Sequence, residues 1–348
     1  MSFTFGLRLP PCLPVREVAA EAARAERAGF DNVWIPDSQM LWRDAWVTLS
    51  AVALATDRVR IGTNITTPIT RHPTVTANAI TTLDELSGGR AILGFGPGDS
   101  SVRVIGGQPA TLQTMRESIQ LIRAFSSGQW LPHGKEGKQI RMKTAEGRRK
   151  AVPIYMAASG PKMLQLAGEV ADGVILLCGF EDENLQYALS RIQAGLDRSG
   201  RKLEDLDLVM SAHTYVGDDW RQAQKLARPY AAYFAMHSPG ALRALGIRVP
   251  EPRPMDIYPD INHAEDWDKA IAVSDWVPDD VLELFCAKYT LMGDAGEIIR
   301  KLERVASHGI SHFYMLGYSS YRLPREVADT FARQVIPHFR IRKTDGAS

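Results

Sequence analysis

Sulfur chemistry is scarce in this sequence: its three cysteines, Cys12, Cys178 and Cys286, lie far apart and form no CxxC pair. That spacing excludes a disulfide framework and a cysteine-based zinc site, and each thiol reads as a buried structural one in a reducing compartment. Charge of one sign is missing too. With 41 basic against 40 acidic residues, no global field draws the chain to nucleic acid or to an anionic membrane. No apolar run reaches the ~18 residues of a membrane span, and the opening MSFTFGLRLPP lacks a basic lead followed by a long apolar segment. The expectation is a soluble, cytoplasmic protein without nucleic-acid or membrane partners. No GxGxxG follows the first strand, and neither HExxH nor a Walker A sequence occurs, so nothing points to a dinucleotide fold, a zinc protease or a P-loop. His72, His213 and His312 stand apart from other ligand types. They read as structural histidines, and no metal is expected.

What is present is one pattern used repeatedly: helix, glycine, apolar strand, polar turn. The stretch Val59 to Ser101 shows it best. Arg60 to Thr63 is a short apolar run, and Pro73 to Leu86 carries Val75, Ala79, Ile80, Leu83 and Leu86 at helical spacing before Gly88. Ala91 to Phe95 then lacks alternation, as a strand buried on both faces does under the helices of a parallel sheet. The same order recurs in Val15 to Ala28, Gly29 and Asn32 to Ile35; in Lys162 to Val170 and Gly173 to Leu177; and in Glu297 to His308, Gly309 and His312 to Leu316. Glycine suits the left-handed residue that closes a helix before a tight turn. With Phe3 to Leu9, Ile154 to Ala157 and Leu208 to Tyr215, eight strands stand in the order that a (β/α)8 TIM barrel needs, and the fold class is α/β.

The chain, 348 residues long, reads as a single domain over 1–348 with two interruptions. Residues 129–152, with the basic run Lys135, Lys138, Arg141, Lys143, Arg148, Arg149 and Lys150, form an insertion after the fourth helix, expected as a small hairpin over the barrel mouth. Residues 229–288, rich in proline and aromatics, follow the seventh strand. A structureless loop of that length is improbable, so short helices over the mouth are expected there, with substrate selection among their roles.

Chemistry in such a barrel sits where strands end. Asp37, in Pro36-Asp37-Ser38, is placed to touch a cofactor or move a proton, the alternative being a cap on the next helix. Gly96-Pro97-Gly98-Asp99 ends the fourth strand. Ala158-Ser159-Gly160-Pro161-Lys162 joins a strand to a helix with proline near its first position, so free N–H groups would face an anion; ordinary turn punctuation is the alternative. Trp34 reads as core and Trp42 as lining the mouth.

The segments IPDSQMLWRDAWVTLS, IGTNITTPITRHPTVTANAITTLDELSGGRAILGFGPGDSSVRVIGGQPATL and AASGPKMLQLAGEVADGVILL resemble the bacterial luciferase-like superfamily. The nearest likeness is to its methylenetetrahydromethanopterin-reductase-like branch, which uses the deazaflavin coenzyme F-420. The resemblance is dense from Phe3 to Leu177 and resumes near Lys288 to Leu316. It implies a ring held at the C-terminal mouth against a bulge with a non-prolyl cis peptide, here Asn64-Ile65. It implies ring contacts from Asp37, Thr63 and Thr66, further cofactor-binding positions at Ser38, Asn64, Ile65, Gly96 and Gly98, and a cofactor phosphate on the turn Ala158, Ser159, Gly160, Pro161 and Lys162. Asp37 and Asp99 are then the candidate catalytic groups. Sugar-phosphate dehydrogenases of the superfamily carry a histidine after the aspartate, where this chain has Ser38, which argues against alcohol oxidation by that route. The resemblance implies hydride transfer between coenzyme F-420 and a small organic substrate, whether imine, enone, carbonyl or activated aromatic. A reduced-FMN monooxygenase with a flavin reductase partner is the alternative within the fold, and a non-catalytic flavin-binding protein the alternative outside enzymes. Relatives dimerise through helices beside the early strands, so a homodimer is expected.

Overall fold

The computed structural model describes residues 2–133, 137–237, 242, 251 and 255–341. Lys135, Pro239, Pro250, Pro252 and Pro254 of the two interruptions lie outside the described residues.

Eight parallel strands close into a barrel. They are β1 (Thr4–Arg8), β2 (Asn32–Ile35), β3 (Arg60–Thr63), β4 (Ala91–Phe95), β7 (Ile154–Ala158), β8 (Gly173–Leu176), β9 (Asp207–Val216) and β11 (His312–Leu316), each paired with the next and β11 back onto β1. The helices between them include α1 (Val15–Arg27), α2 (Ala45–Ala55), α3 (Pro73–Leu86), the short α4 (Ser100–Arg103), α5 (Leu112–Ser126), α6 (Pro161–Val170) and α7 (Asp182–Ser199). Helix α3 begins where Pro73 occupies its first turn and His72 accepts from the Thr74 N–H, and the chain then turns through Gly88 at φ +68°. Those are the start and stop signals that the sequence carries there.

Side chains pointing out of the barrel pack under the helices, while Trp34, Ile92, Tyr155, Ile175, Val209, Tyr314 and Leu316 fill its interior. Trp34 is fully buried. Gly6 makes room for it, since a Cβ there would lie 2.7 Å from the indole Nε1. At the N-terminal end the interior is closed by polar groups: Tyr155 Oη donates to Asp207 at 2.6 Å, and His312 bridges Asp207 and Asn32 at 2.9 Å on each side. The opposite end, where β-to-α connections emerge, is left for chemistry.

Two departures from the sequence reading concern the interruptions. The hairpin β5 (Leu131–His133) and β6 (Lys138–Ile140) exists, but it does not cover the mouth. Ile140, Arg141 and Met142 lie along the outer flank of α3, facing Thr74, Val75 and Asn78, and Arg148 pairs with Asp84 of α3 at 2.5 Å. The reason is topological: this insertion follows a helix, so it starts at the α-to-β end of the barrel, near Asp84, and runs up the outside of α3 instead of across the opening. The basic run is spent partly on local pairs, Arg141 and Lys143 with Glu146. The second excursion starts before the expected boundary, because Pro229 sits inside α8 (Trp220–His237). It continues through α9 (Trp267–Val273), α10 (Asp279–Tyr289) and an unexpected strand, β10 (Thr290–Gly293), and has its own apolar core around Tyr230, Trp276 and Phe285. Strand β10 takes over from β8 as a neighbour of β9, pairing from His213 to Val216. Helices α11 (Ala295–Ser307), α12 (Arg325–Gln334) and α13 (Ile336–Ile341) complete the chain.

Candidate active site

At the end of β3 the chain makes a bulge with a cis peptide between Asn64 and Ile65. The bulge is tied on both sides. Asn64 N–H donates to the Ile35 carbonyl at 2.8 Å, Thr66 N–H to Gly94 at 3.0 Å, and Thr63 Oγ1 to Gly94 at 2.7 Å. Tyr314 Oη donates to Asn64 Oδ1 at 2.6 Å, which fixes the amide and leaves its Nδ2, sealed from solvent, without a partner. Unpaired buried donors are rare and costly, so they mark places where a ligand completes the set. The Ile65 side chain lies over the barrel interior beside Gly96, where a Cβ would come within 2.1 Å of Ile65 Cδ1 and 3.6 Å of the Ala157 Cβ. Glycine at 96 is therefore what lets the bulge and the β7 end form one continuous wall. Gly98 is needed for its backbone, with φ +92° in a left-handed turn.

Asp37 is buried next to this bulge. Its Oδ2 accepts from Thr66 Oγ1 at 2.7 Å and lies 3.5 Å from Arg71 Nε. Burial pushes its pKa above the usual carboxylate range, against the pull of the Thr66 hydroxyl and the Arg71 charge. It does not cap α2. That cap is Asp44, which accepts from the N–H groups of Trp46 and Val47 and is held by Arg71 at 2.5 Å. Ser38 is buried, 3.4 Å from Ser100 Oγ. Asp99 is placed differently: its side chain is 54% exposed, paired with Arg103 at 2.8 Å, and lines a cleft of about 410 Å³ with Tyr233, His237 and Asp260 of the excursion.

Across the β7 end, Ser159, Gly160, Pro161 and Lys162 are exposed, and Gly160 precedes α6 with no side chain capping its first N–H groups. Ala158, by contrast, is buried in β7. Leu177, just past β8, is 54% exposed, so the wall from Ile65 to Ser159 is open to solvent on this side.

The other side of the mouth was less legible. Trp42 is 7% exposed and donates through Nε1 to the Ser320 carbonyl at 2.8 Å. His213 lies at the end of β9 with its ring 3.8 Å from that of Tyr230, and burial pushes its imidazole down to about 3, leaving it neutral. Arg8, which sequence reading passed over, faces the same space. Its signal was available: in Phe3 to Leu9 the alternate residues Thr4, Gly6 and Arg8 share a face, and Arg8 is the one charged residue of that run. Among the described residues, no group of three or more His, Cys, Asp or Glu side chains is arranged to hold a metal, and no helix is long and apolar enough to cross a membrane.

Comparison with known proteins agrees with this architecture. A 5,10-methylenetetrahydromethanopterin reductase of Methanolobus tindarius is 40% identical over 242 residues, covering 68% of this chain and 72% of that protein. An F-420-dependent glucose-6-phosphate dehydrogenase of Beutenbergia cavernae is 35% identical across 62% of this chain and 69% of its own length. Among solved structures, the coenzyme F-420-dependent tetrahydromethanopterin reductase of Methanopyrus kandleri superposes with a TM-score of 0.75 at 27% identity, covering 97% of this chain and 100% of that one. The family model described as luciferase-like monooxygenase matches residues 3–312, and the chain belongs to that family.

Proposed function

We propose that the protein is a coenzyme F-420-dependent oxidoreductase that passes hydride between the deazaflavin and a small organic substrate carrying an imine, enone, carbonyl or activated aromatic group. The observation that carries this reading is the continuous wall of Asn64, Ile65, Gly96 and Ala157, which ends at the uncapped start of α6. The relatives named above as F-420-dependent support it.

The residues present fit such a group. The partnerless Asn64 Nδ2 supplies a donor to the edge of a planar ring, and the missing side chain at Gly96 keeps the wall flat. Free N–H groups at the start of α6, with Ser159 and Lys162 beside them, suit the cofactor phosphate. When bound, the deazaflavin supplies the carbon that gives or takes hydride. The chain contributes position, exclusion of water and the accompanying proton. Asp37 is the residue proposed to hold that proton: it is largely buried, its Oδ2 is oriented by Thr66, and its raised pKa brings the neutral and ionised forms closer in energy at physiological pH. The exposure of Asp99 and its pairing with Arg103 suit a position on the rim, against the excursion. Ser38 offers no base beside Asp37. The active unit is proposed to be a homodimer.

The test is a titration of cofactor-free protein with coenzyme F-420 and, separately, with FMN in the same buffer, followed by calorimetry. Binding of F-420 at least about tenfold tighter than FMN, a difference of about 1.4 kcal/mol, is expected. Preference for FMN would replace this reading with oxygen-dependent turnover.

A further inference from the structure

The side of the mouth facing the Asn64-Ile65 bulge carries a cation, Arg8, without a counter-ion among the described residues. Arg8 ends β1, and the register sets it beside Trp34 of β2, so its side chain points into the barrel at the mouth. One row along, Leu7 pairs with Met315 of β11, and Leu316 pairs with His213 of β9. Arg8, Leu316 and His213 therefore form one inward-facing row across three adjacent strands. Among the described residues the Arg8 guanidinium has no ion pair and no hydrogen bond; its one close partner is the face of Trp42, with Cζ 5.0 Å from the ring centroid. Its Nε is sealed from solvent and unpaired. The two terminal nitrogens, equally without a partner among the described residues, are not sealed, so the fork of the guanidinium opens on solvent-accessible space. His213 is fixed by the Gly317 carbonyl at 3.2 Å, and His263 by Asp260 at 3.0 Å, so neither is left to neutralise an anion.

A half-buried arginine without a carboxylate is costly unless a ligand supplies the opposite charge. Its planar fork matches a carboxylate with two parallel hydrogen bonds, and its stacking on Trp42, itself anchored to Ser320, holds the fork in one plane. A single guanidinium suits one negative charge better than the two of a phosphate monoester. Trp42, Tyr230 and the His213 ring supply flat apolar surface for the body of the molecule.

We propose that Arg8 is the residue that selects the substrate, and that the substrate is a small organic carboxylate. Arg8 holds the carboxylate on the β1 side of the mouth, leaving the reducible group to face the bulge. Tyr314 lies between the two, donating to Asn64 from the interior row below Leu316. Placing the reducible group over the bulge rests on the hydride-transfer reading; the carboxylate site itself does not.

The experiment is a calorimetric and ligand-observed NMR titration of the protein, with and without coenzyme F-420. The probes are acetate, pyruvate and benzoate, each against its neutral amide, with phenyl phosphate as a further arm. At least one carboxylate is expected to bind roughly tenfold or more tightly than its amide, a preference lost in Arg8→Met and partly kept in Arg8→Lys. Both variants are expected to bind coenzyme F-420 within about twofold of the parent, which also reports that they are folded. A purely structural role for Arg8 would lower the affinity for acid and amide alike, so the ratio is the readout. Equal binding of every acid and its amide, an unchanged ratio in Arg8→Met, or stronger binding of phenyl phosphate than of benzoate would each overturn the proposal. Failure of the parent protein to bind coenzyme F-420 would instead count against the cofactor reading and leave the carboxylate ratio to be judged on its own arm.

Discussion

Asp37 and Asp99 both follow barrel strands, yet their surroundings give them different chemistry. The Asp37 carboxyl is 7% exposed and accepts one hydrogen bond from Thr66, whereas Asp99 is 54% exposed and spends its charge on Arg103. Burial favours the neutral form of Asp37, so its pKa lies above the ordinary value; the Thr66 hydroxyl donates to the ionised form and opposes that rise. Removing the donor therefore raises the pKa further. In Thr66→Val, the carboxyl carbon-13 titration of Asp37, identified by its loss in Asp37→Asn, is expected to move up by roughly one pH unit. An unchanged or lowered midpoint would show that Thr66 does not bear on the ionisation. The sequence made Asp37 visible because it follows a strand, but not what sets its pKa, which depends on a contact across 29 residues. Arg8 escaped notice for a related reason: one arginine in a strand looks like a surface residue until the register shows that its face is the interior.

Among the elements, the barrel strands were legible because most are short apolar runs with a glycine or proline close to one end, and the eight expected strands are the eight that close. Strand β10 was not, since Thr290–Gly293 runs directly on from helix Asp279–Tyr289 with no glycine or proline between them. The flank hairpin was recognisable as a hairpin, though not its location. Pairing between helices was also hidden, and α6 against α7 shows why. Gly168 and Gly195 allow their backbones to approach so closely that a Cβ on Gly195 would lie 2.0 Å from the Gln165 carbonyl oxygen and one on Gly168 2.3 Å from that of Ile192. Backbone cannot give way as a side-chain tip does. Gly195→Ala is expected to cost about 1–3 kcal/mol of stability and to lower the melting temperature by several degrees. Because α6 carries the turn from Ser159 to Lys162 at its start, displacing it should also weaken cofactor binding. A variant with unchanged melting would mean that the two helices slide apart without loss, and the close crossing would then have no role in holding that turn.

For the molecule as a whole, α2 has too much apolar surface for a helix at a free surface. Ala45–Ala55 reads AWVTLSAVALA, with no charged residue; Ala45, Leu49, Val52 and Ala53 face the barrel, while Val47 and Leu54 on the other side are 61% and 75% exposed. A helix that is apolar all round is ordinarily covered all round. The adjoining α3 adds Val75, 53% exposed, which also lines a cleft of about 550 Å³ between α3 and the hairpin with Ile140 and Met142. The flank insertion, read from sequence as part of the mouth, thus borders the exposed apolar face instead, and the two together suggest one isologous surface. A stable two-fold interface buries about 800 Å² per partner. Two protruding side chains on a single helix do not reach that area, so the interface is expected to take in the first turns of α3 and the hairpin edge as well. Sedimentation is expected to give a dimer for the parent chain and a monomer for Val47→Glu combined with Leu54→Glu. The exposure of both residues in the single chain means that these changes leave its core untouched, so the double variant should keep its helical circular dichroism. A dimer that survives both charges would place the interface elsewhere, and a monomeric parent would leave the apolar face of α2 to a partner of another kind.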